Sequence, residues 1–408
     1  MLKRDRSLLI GAIILVVVTS ITTFAISAFV FLGWNGLNQN VIYFNPETVD
    51  GNNVSKFNKV RGILKSEYYL NVDENKLLEG AIAGMVESLG DPYTAYYSKD
   101  EWQMYSESIA GSYVGIGVSV SLGEDNLVTV VEPFEGSPAS EAGMKKGDKI
   151  IKVDGKDVRG IKDADTVVNM IRGPEGTNVK ITVYRSSNGE VLEFDLTRRK
   201  IKVENIESRM LEDGIGYIRI IKFDSEIADY FNQHLEKLIK SGMKALVIDV
   251  RDNPGGYYDQ VVKICDRLLP EGVIVYTEDK YQRRDIKRSD AAELNMPISV
   301  LINGNSASAS EILAGAIKDH KKGILVGTKT FGKGLVQAST TLDDGSGLKV
   351  TIARYFTPSG VCIHGEGIKP NIEIDVPEEY KDTPVSSIPP EKDVQLKIAV
   401  EKLKERMK

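Results

Sequence analysis

The sequence predicts an α/β fold that carries an all-β insertion and begins with an apolar segment. From residue 201 to 376, apolar strand patterns such as Ala245–Val250 alternate with amphipathic helix patterns, as in layered α/β cores. Residues 111–200 instead contain short alternating strands separated by glycine-rich turns. Residues 8–32 are predominantly apolar and uncharged. We therefore expect several structural units in one chain.

The composition excludes some classes of protein. The 408 residues are 42% apolar and 27% charged, as in folded globular proteins. A net charge of −6, without a basic stripe interleaved with aromatic residues, argues against a nucleic-acid partner. The two cysteines, Cys265 and Cys362, could pair, but two cysteines do not make a disulfide framework. We expect them to be unpaired, with Cys265 packed on a helix in the core.

The N-terminal segment is long enough to cross a membrane. Residues 8–32 exceed the apolar core of a typical signal peptide and would span a bilayer with some tilt. Lys3, Arg4 and Arg6 precede this segment and would keep that end in the cytoplasm. We expect a single-pass cell-membrane anchor, with the rest of the chain outside the cytoplasm. The alternative is a signal cleaved near Ala28, which would release a secreted protein.

Helical patterns lie at both ends of the folded region. An N-terminal helical domain is expected over residues 50–110, with helices at Val54–Ser66 and Asp73–Leu89. The residues expected to be buried in the second helix are Leu77, Leu78, Ile82, Met85 and Val86. The C-terminal extension, residues 377–408, is Pro-rich and ends in an amphipathic helix too narrow to be a core helix alone. We expect these helical parts to contact a partner, most simply a second copy in a homodimer.

Residues 111–200 contain an ordered set of short motifs. These are the loop Gly115-Ile116-Gly117-Val118, then Ser137-Pro138-Ala139, and then Gly147-Asp148-Lys149-Ile150. A Gly-x-Gly alone could merely permit a tight turn, but the ordered set resembles a PDZ domain. In PDZ domains, loop N–H groups bind the terminal carboxylate of a peptide and a sheet edge binds its strand. The resemblance implies protein partners held by their C-terminal tails, with Gly115, Ile116, Gly117 and Val118 as contacts.

A serine-rich loop and a glycine-flanked lysine are the candidates for chemistry. Ser308 lies in the loop Asn303–Glu311, which follows a strand pattern and opens a helix. Serine is a poor nucleophile unless a neighbouring group takes its proton. Lys333, between two glycines and beside Phe331, could do so if burial lowers its pKa. Taken alone, a lysine near glycines is more often part of a surface turn.

Other residues compete for these roles. Ser306 and Ser310 flank Ser308 and are alternative nucleophiles. Of the three histidines, only His364 is a credible member of a Ser–His triad, because the others lie in or at the end of helix patterns. No His-Glu-x-x-His motif occurs, which disfavours a metallopeptidase, and we expect no metal and no cofactor.

Four stretches form a larger constellation with the PDZ-like motifs. They are Leu89–Tyr96 (Leu-Gly-Asp-Pro-Tyr-Thr-Ala-Tyr), Asp249–Gly256, Ser306–Glu311 and Thr330–Gln337. Over residues 55–375 the chain resembles the carboxy-terminal processing peptidases, which are tail-specific Ser/Lys proteases with a PDZ domain. The resemblance implies a crotonase-like (ClpP/crotonase) α/β core over residues 201–376 and a serine endopeptidase activity.

The resemblance also implies roles for individual residues. Ser308, the middle serine of Ser-Ala-Ser-Ala-Ser, would be the nucleophile, and Lys333 would be the general base (333 − 308 = 25). Gln337 (337 − 333 = 4) would orient the lysine amine. The amide of Ala309 and one amide of Gly255-Gly256 would form the oxyanion hole, and the sequence does not choose between the two glycines.

Two further features leave alternatives open. Arg172 follows the second helix pattern of the PDZ-like region. It could contact the catalytic domain and gate activity by reporting occupancy of the groove, or it could be a solvated cation at a helix end. The run Val361-Cys362-Ile363-His364 departs from the Arg-Ser-Ile-Gln-like run usual in the family, so no specificity is inferred from that loop.

These features together predict a membrane-anchored serine endopeptidase. It would process or degrade extracytoplasmic proteins from C-terminal tails recognised by its PDZ domain. The alternative is a catalytically inactive PDZ scaffold or chaperone, which would not need Ser308, Lys333 and Gln337 together. A crotonase-type acyl-CoA enzyme is disfavoured by the PDZ insertion and the N-terminal anchor.

Overall fold

The computed structural model describes residues 51–123, 125–381 and 383–408. The expected membrane segment, residues 8–32, lies outside them. Within the described ranges, no helix has the length and apolar character needed to cross a bilayer. The chain divides into two compact units, Met1–Gly80 and Ala81–Lys408.

Two helices begin the described chain, α1 (Gly51–Glu67) and α2 (Glu74–Glu87). No residue of α1 is buried, and in α2 only Val86 is buried. The expected buried face of α2 is therefore wrong at Leu78, Ile82 and Met85. The exposed apolar side chains of the two helices are Phe57, Val60, Ile63, Leu64, Leu78, Ile82 and Met85.

The larger unit contains three successive groups of elements. The first group is β1 (Ala95–Tyr97) and α3 (Lys99–Ala110). The PDZ-like group is β2 (Ser112–Gly115), β3 (Val118–Leu122), β4 (Val128–Pro133), α4 (Pro138–Glu141), β5 (Asp148–Val153), β6 (Lys156–Asp157), α5 (Ala164–Ile171), β7 (Asn178–Arg185), β8 (Glu190–Thr197) and β9 (Arg199–Lys202). The third group is β10 (Ile206–Met210), β11 (Ile215–Ile220), α6 (Ile227–Lys240), β12 (Ala245–Asp249), α7 (Tyr258–Leu268), β13 (Gly272–Asp279), β14 (Arg284–Ser289), β15 (Ile298–Ile302), α8 (Ala309–Asp319), β16 (Gly323–Gly327), β17 (Leu335–Thr341), β18 (Gly347–Phe356), β19 (Ile372–Glu373) and α9 (Val394–Met407).

The PDZ-like group folds around its own core. Its main sheet has the order β3-β4-β5-β7-β8, with β6 paired to β5. The strands β2 and β9 pair antiparallel where the chain enters and leaves this region. The buried residues of the core include Ile116, Val130, Ile150, Val167, Ile181 and Leu196. The short alternating strands predicted for residues 111–200 are thus confirmed as a compact β domain.

The third group contains a six-stranded sheet in the order β10-β11-β12-β15-β16-β19. From β11 to β19 the neighbouring strands are parallel, and β10 is antiparallel to β11. The strands β12 and β15 are buried at every position, as expected for parallel strands covered on both faces. Cys265 packs in the core on one face, and both cysteines are unpaired, as predicted.

A second sheet joins the first and third groups. Its order is β1-β18-β13-β14, with β17 paired to the other side of β18. The α3 residue Trp102 packs so closely on Gly347 that an added Cβ there would lie 1.8 Å from the indole ring. Trp102 Nε1 also donates a hydrogen bond to Thr341 Oγ1 at 2.8 Å. These contacts attach α3, which we expected in the N-terminal helical domain, to β17 and β18 within the larger unit.

The C-terminal helix α9 is a core element. Its residues Leu396, Ala399 and Leu403 are buried against residues of the six-stranded sheet, including Tyr217 and Leu301. The helices α6, α7 and α8 contribute to a different apolar cluster. The expectation that the apolar stripe of α9 contacts a partner is wrong, because the sheet of the same chain covers it.

A buried ion-pair network fixes the start of α9. Arg251 is 1% exposed. It donates two hydrogen bonds to the carboxylate of Asp393, from Nη1 at 3.0 Å and from Nη2 at 2.8 Å. It also donates from Nη2 to Asp249 at 2.6 Å. Asp393 is the N-cap of α9 and accepts a hydrogen bond from Leu396 N–H at 3.0 Å. The C-terminal extension is therefore attached to the loop that leads to Gly255.

Candidate active site

Ser308 occupies the turn between β15 and α8. Its backbone has φ 55° and ψ −112°. Non-glycine residues avoid this conformation, which costs about 1–3 kcal/mol. Strain of this kind concentrates at functional sites. The strained turn leaves Ser308 half-buried at the N-terminus of α8.

The two neighbouring serines serve the structure of the loop. Ser306 and Ser310 are fully buried. Ser306 Oγ donates to the carbonyl of Val250 at 2.7 Å and accepts the N–H of Asn303 at 2.9 Å. Ser310 Oγ donates to the carbonyl of Asn253 at 3.0 Å. Because both hydroxyls are engaged and buried, Ser308 is the serine of the three that a substrate could reach.

The glycine loop lies directly against the serine loop. A Cβ added at Gly255, where φ is 102°, would be 2.8 Å from Ser308 Cβ and 3.0 Å from Ala309 N. The N–H of Gly255 donates to Asn253 Oδ1 at 2.8 Å. The amides of Gly256 and Ala309 form no hydrogen bond with any described residue. These two amides are therefore the free donors on the adjacent loops.

Glu311 joins the serine loop to the lysine loop. Its carboxylate is fully buried in the first turn of α8. Oε2 accepts the N–H of Ser308 at 2.9 Å and the N–H of Lys333 at 2.8 Å. Oε1 accepts hydrogen bonds from the Thr330 hydroxyl at 2.6 Å and from the Gly332 N–H at 2.7 Å. We assigned no role to Glu311 from the sequence. Its position three residues after Ser308 is nevertheless typical of a capping box, which predicts its hydrogen bond with the Ser308 N–H.

Lys333 is half-buried in the loop between β16 and β17. Burial lowers the pKa of Lys333, and the nearby charge of Lys349 lowers it further. The carboxylates of Asp91 and Glu311 act in the opposite direction. The Lys333 Nζ lies 4.8 Å from the centroid of the Tyr93 ring. A lowered pKa increases the neutral fraction of the amine, which is the form that a general base requires.

The proton-transfer contact is not formed in this arrangement. Within the described ranges, Lys333 Nζ makes no hydrogen bond with Ser308 or Gln337. Gln337 instead donates from Nε2 to Thr351 Oγ1 at 3.4 Å. The expected contact of Gln337 with the amine is therefore absent here, since the lysine side chain lies over Tyr93. The structure brings the three predicted residues to neighbouring segments of one site.

Tyr355 is a second link between the two loops that sequence analysis missed. It is buried on β18, and its hydroxyl lies between the carbonyl oxygen of Ser308, at 3.1 Å, and that of Lys333. Burial raises the pKa of Tyr355 well above its ordinary value, so the hydroxyl stays protonated and acts as a hydrogen-bond donor. An aromatic residue in a strand pattern is usually a core residue, so the sequence contained no signal for this contact.

His364 is adjacent to the lysine loop. It is exposed, and its backbone is so close to Gly334 that a Cβ there would lie 2.4 Å from His364 N. Its ring centroid is 6.4 Å from that of Tyr93. No hydrogen bond joins His364 to Ser308 in the part of the chain that the structure describes. The geometry therefore does not support a Ser–His triad.

The PDZ-like group contains an apolar groove of 230 Å³. The predicted contacts Gly115, Ile116, Gly117 and Val118 all line it, together with Phe134, Val168 and Ile171. The N–H groups of Ile116 and Gly117 form no hydrogen bond with described residues and are available to a terminal carboxylate. Gly117 has φ 74°, and a Cβ there would lie 2.2 Å from Ser137, so glycine is required in this loop.

Arg172 lies between this groove and α3. It caps α5 and lines both the groove and a second cavity of 310 Å³, which Met104 and Glu107 of α3 also line. Its guanidinium carbon is 5.5 Å from the centroid of the Tyr113 ring. Its Nε is buried without a hydrogen-bond partner among the described residues. This position differs from that of a fully solvated cation at a helix end.

Comparisons with known proteins agree with this arrangement. Three family models match the chain: peptidase family S41 over residues 214–374, the activating protease CtpB N-terminal domain over residues 19–101, and the PDZ domain over residues 129–185. The PDZ match lies inside the expected PDZ region, residues 111–200, and the S41 match covers most of the expected protease core, residues 201–376.

Two relatives are similar over nearly the whole chain. A probable CtpA-like serine protease of Staphylococcus aureus (strain COL) is 38% identical over 376 residues, which are 91% of this chain and 72% of that protein. The carboxy-terminal processing protease CtpA of Bacillus subtilis (strain 168) is 34% identical over 382 residues, which are 93% and 79% of the two chains. A solved structure, the photosystem II D1 C-terminal processing protease, is 31% identical, with a TM-score of 0.47 and coverage of 80% and 89%. The chain therefore belongs to the carboxy-terminal processing proteases of peptidase family S41 and is a serine-type peptidase with a PDZ domain.

Proposed function

We propose that this chain is an endopeptidase in which Ser308 and Lys333 form a catalytic dyad. Its substrates would be extracytoplasmic proteins, which it processes or degrades from C-terminal tails held in the PDZ groove. The observation that carries the proposal is the Glu311 carboxylate, which accepts the backbone N–H of both Ser308 and Lys333 and so holds the two loops together. A strained serine beside a half-buried lysine of lowered pKa supplies a nucleophile and a base.

The reaction would be acyl transfer. Ser308 Oγ attacks the scissile carbonyl carbon while its proton passes to the neutral Nζ of Lys333. When the tetrahedral intermediate collapses, the C–N bond breaks and Lys333 returns the proton to the leaving amine. Water then loses a proton to Lys333 and attacks the ester. The second collapse releases the new carboxyl terminus, and the proton returns to Ser308.

The oxyanion would be held by two backbone amides. Ala309 supplies one, at the N-terminus of α8, where the helix dipole favours negative charge. Gly256 is the better candidate for the second, because the N–H of Gly255 is already bound by Asn253. This assignment chooses between the two glycines that the sequence left open.

Catalysis would also require a movement of the lysine side chain. Lys333 Nζ must leave the Tyr93 ring and approach Ser308, with Gln337 then orienting the amine. Hydrogen bonds of this kind are often unformed before substrate binds. Because the neutral amine is the active form, kcat/KM should fall as the pH decreases through the lowered pKa of Lys333.

Tail recognition gives the first prediction. An unfolded protein that ends in apolar residues should be cleaved with a kcat/KM about 10–100-fold higher than the same protein with an amidated C-terminus. The reason is that amidation removes the charged acceptor for the free N–H groups of Ile116 and Gly117. The measurement is cleavage of the two substrates by the full chain, followed by mass spectrometry of the products.

The same assay separates the enzyme from the alternative scaffold. A scaffold or chaperone would bind the apolar tail and cleave neither substrate. Equal cleavage of the free-acid and amidated substrates would contradict tail recognition while leaving the peptidase activity intact. A substrate of the same sequence with an acidic C-terminal residue serves as the control for the apolar lining of the groove.

Arg172 is proposed to couple the groove to the second sheet, which contains β17 and β18. It lines the groove and the cavity beside α3, and α3 packs on Gly347 of β18 through Trp102. We expect a free apolar tail peptide to stimulate cleavage of a tail-less substrate by the native enzyme. In Arg172→Ala, at peptide concentrations that saturate the groove, the peptide should no longer stimulate cleavage. Unchanged stimulation in this variant would identify Arg172 as a simple helix-end cation.

The proposal also includes where the protease is located, whether it forms a dimer and which fold its catalytic core has. An N-terminal anchor would place the protease on the outer side of the cell membrane, which fractionation and protease accessibility of whole cells would test. The exposed apolar side chains of α1 and α2 support a homodimer through the N-terminal helices. Light scattering of the full chain and of a Phe57→Glu variant tests the homodimer.

The parallel sheet with helices packed on it supports a crotonase-like core.

A further inference from the structure

Tyr93 contacts the proposed general base from a segment to which sequence analysis assigned no chemistry. Its ring centroid is 4.8 Å from Lys333 Nζ, within the range of a cation–π interaction. We propose that Tyr93 is a positioning residue that holds the charged form of Lys333 away from Ser308 in the resting enzyme. This inference rests on the proposed dyad and adds a control of when the lysine acts as a base.

The position of Tyr93 is fixed by a chain of hydrogen bonds. Asp91 Oδ1 accepts the N–H of Tyr93 at 3.0 Å, and Oδ2 accepts Thr94 Oγ1 at 2.6 Å. Thr94 is buried, and its Oγ1 accepts the N–H of Thr351 at 3.0 Å. Thr351 Oγ1 in turn accepts a hydrogen bond from Gln337 Nε2. The backbone of Tyr93 is therefore connected to β18, the strand next to the one that carries Gln337.

A second lysine, Lys349 on β18, is held in a similar way. Lys349 Nζ lies 5.4 Å from the ring centroid of Tyr97 and 5.0 Å from that of Tyr105, and it donates to Tyr97 Oη at 2.9 Å. Tyr97 belongs to β1, only a few residues after Tyr93. The segment from Tyr93 to Tyr97 thus provides aromatic contacts for both lysines. The same short segment therefore places a tyrosine ring next to the amine of Lys333 and another next to that of Lys349.

The groups around Lys333 act on its charge in opposite directions. Burial and Lys349, on β18, favour the neutral amine, whereas Asp91 and Glu311, on the loop and on α8, favour the charged form. His364 lies across the Tyr93 ring, and the Tyr355 hydroxyl contacts the carbonyl oxygen of Lys333. The negative face of an aromatic ring also favours the charged form. Tyr93 therefore opposes the effect of burial on the pKa of Lys333. Deprotonation of Lys333 weakens the cation–π contact that holds the amine away from Ser308.

Substitution of the ring tests this role in the full chain. Tyr93→Leu should shift the acid limb of the kcat/KM profile down by about 0.5–1.5 pH units, because the charged lysine loses its cation–π contact. Tyr93→Phe keeps the ring and should retain the native profile. Tyr281→Leu, which removes an exposed tyrosine of the β13–β14 hairpin, is the matched control. An unshifted profile in Tyr93→Leu would overturn the proposal.

A second readout does not depend on activity. Acetylation of Lys333 by acetic anhydride, followed by peptide mass spectrometry across a pH series, reports the titration of the amine directly in a Ser308→Ala background. The midpoint should fall in Tyr93→Leu and remain in Tyr93→Phe. If the dyad is incorrect, Lys333→Ala will keep its activity while this midpoint still moves. If only the role of Tyr93 is incorrect, Lys333→Ala will be inactive and the midpoint will not move.

Fluorinated phenylalanines provide a test without loss of packing. Each ring fluorine weakens the negative face while nearly preserving the shape of the side chain. Tyr93→Phe variants with one, two and three ring fluorines should give progressively lower midpoints. This series decides the question even where Tyr93→Leu fails to fold, and equal midpoints across it would exclude a cation–π role.

Discussion

Lys333→Ala is expected to lower the cleavage of an unfolded protein by about 10²–10⁴-fold, the usual contribution of a general base. Without the amine, the Ser308 hydroxyl has no group to take its proton. Binding of an apolar tail peptide should be unchanged, because Lys333 does not line the PDZ groove. The measurements are kcat/KM for the protein substrate and fluorescence anisotropy of a labelled tail peptide.

Two variants control for this prediction. Lys329→Ala removes an exposed lysine from the same loop and should retain native activity. His364→Ala should also remain active, because no hydrogen bond connects this exposed histidine to Ser308 in the described structure. Full turnover by Lys333→Ala would exclude the dyad. If activity were instead lost in His364→Ala, a Ser–His mechanism would be indicated.

Glu311→Gln should have the second-largest effect. The carboxylate accepts four hydrogen bonds from donors on the serine and lysine loops. The glutamine amide retains one acceptor oxygen and turns an NH₂ group toward two of those donors. We expect the free energy of unfolding to fall by about 2–4 kcal/mol, since two buried donors lose their acceptor. We also expect kcat to fall by about 10²-fold, because the lysine loop would shift relative to Ser308.

Urea denaturation and steady-state kinetics check this result. Glu366→Gln changes an exposed carboxylate in the neighbouring 360–367 loop and should alter neither stability nor kcat. Native values of both quantities in Glu311→Gln would show that the two loops are held by other contacts. Reduced stability with native kcat would assign Glu311 to folding alone and would remove the central support for the proposed dyad.

Local sequence patterns were sufficient to predict the main elements of the core. The runs Ala245–Val250 and Ile298–Ile302 have enough apolar residues to require burial on both faces, and they form the central strands β12 and β15. The PDZ-like motifs were equally predictive, because Gly117 and its neighbours must adopt a special loop conformation. The helical spacing of apolar residues in α2 was not sufficient to predict which of them are buried. Such a pattern shows that a helix is amphipathic but does not show what covers its apolar face.

The C-terminal helix illustrates the same limit. Its stripe of Leu396 and Leu403 predicted a contact but could not distinguish a partner from the sheet of the same chain. The deciding interaction is the buried ion pair of Arg251 with Asp393. These residues are far apart in sequence, and charged residues are usually exposed, so neither position suggested burial.

The sequence alone determined the strand–loop–helix at Ser308, the glycine-flanked loop of Lys333 and the loop Gly115-Ile116-Gly117-Val118 of the PDZ-like group. Each of these depends on residues that are close together along the chain. The tertiary structure decided which groups hold them: Glu311 and Tyr355 between the two loops, Asn253 on Gly255, and Tyr93 against Lys333. Most of these contacts join segments that are distant in sequence, where neither periodicity nor spacing specifies a partner. The lowered pKa of Lys333 has the same origin, because burial and the field of Lys349 exist only in the folded chain.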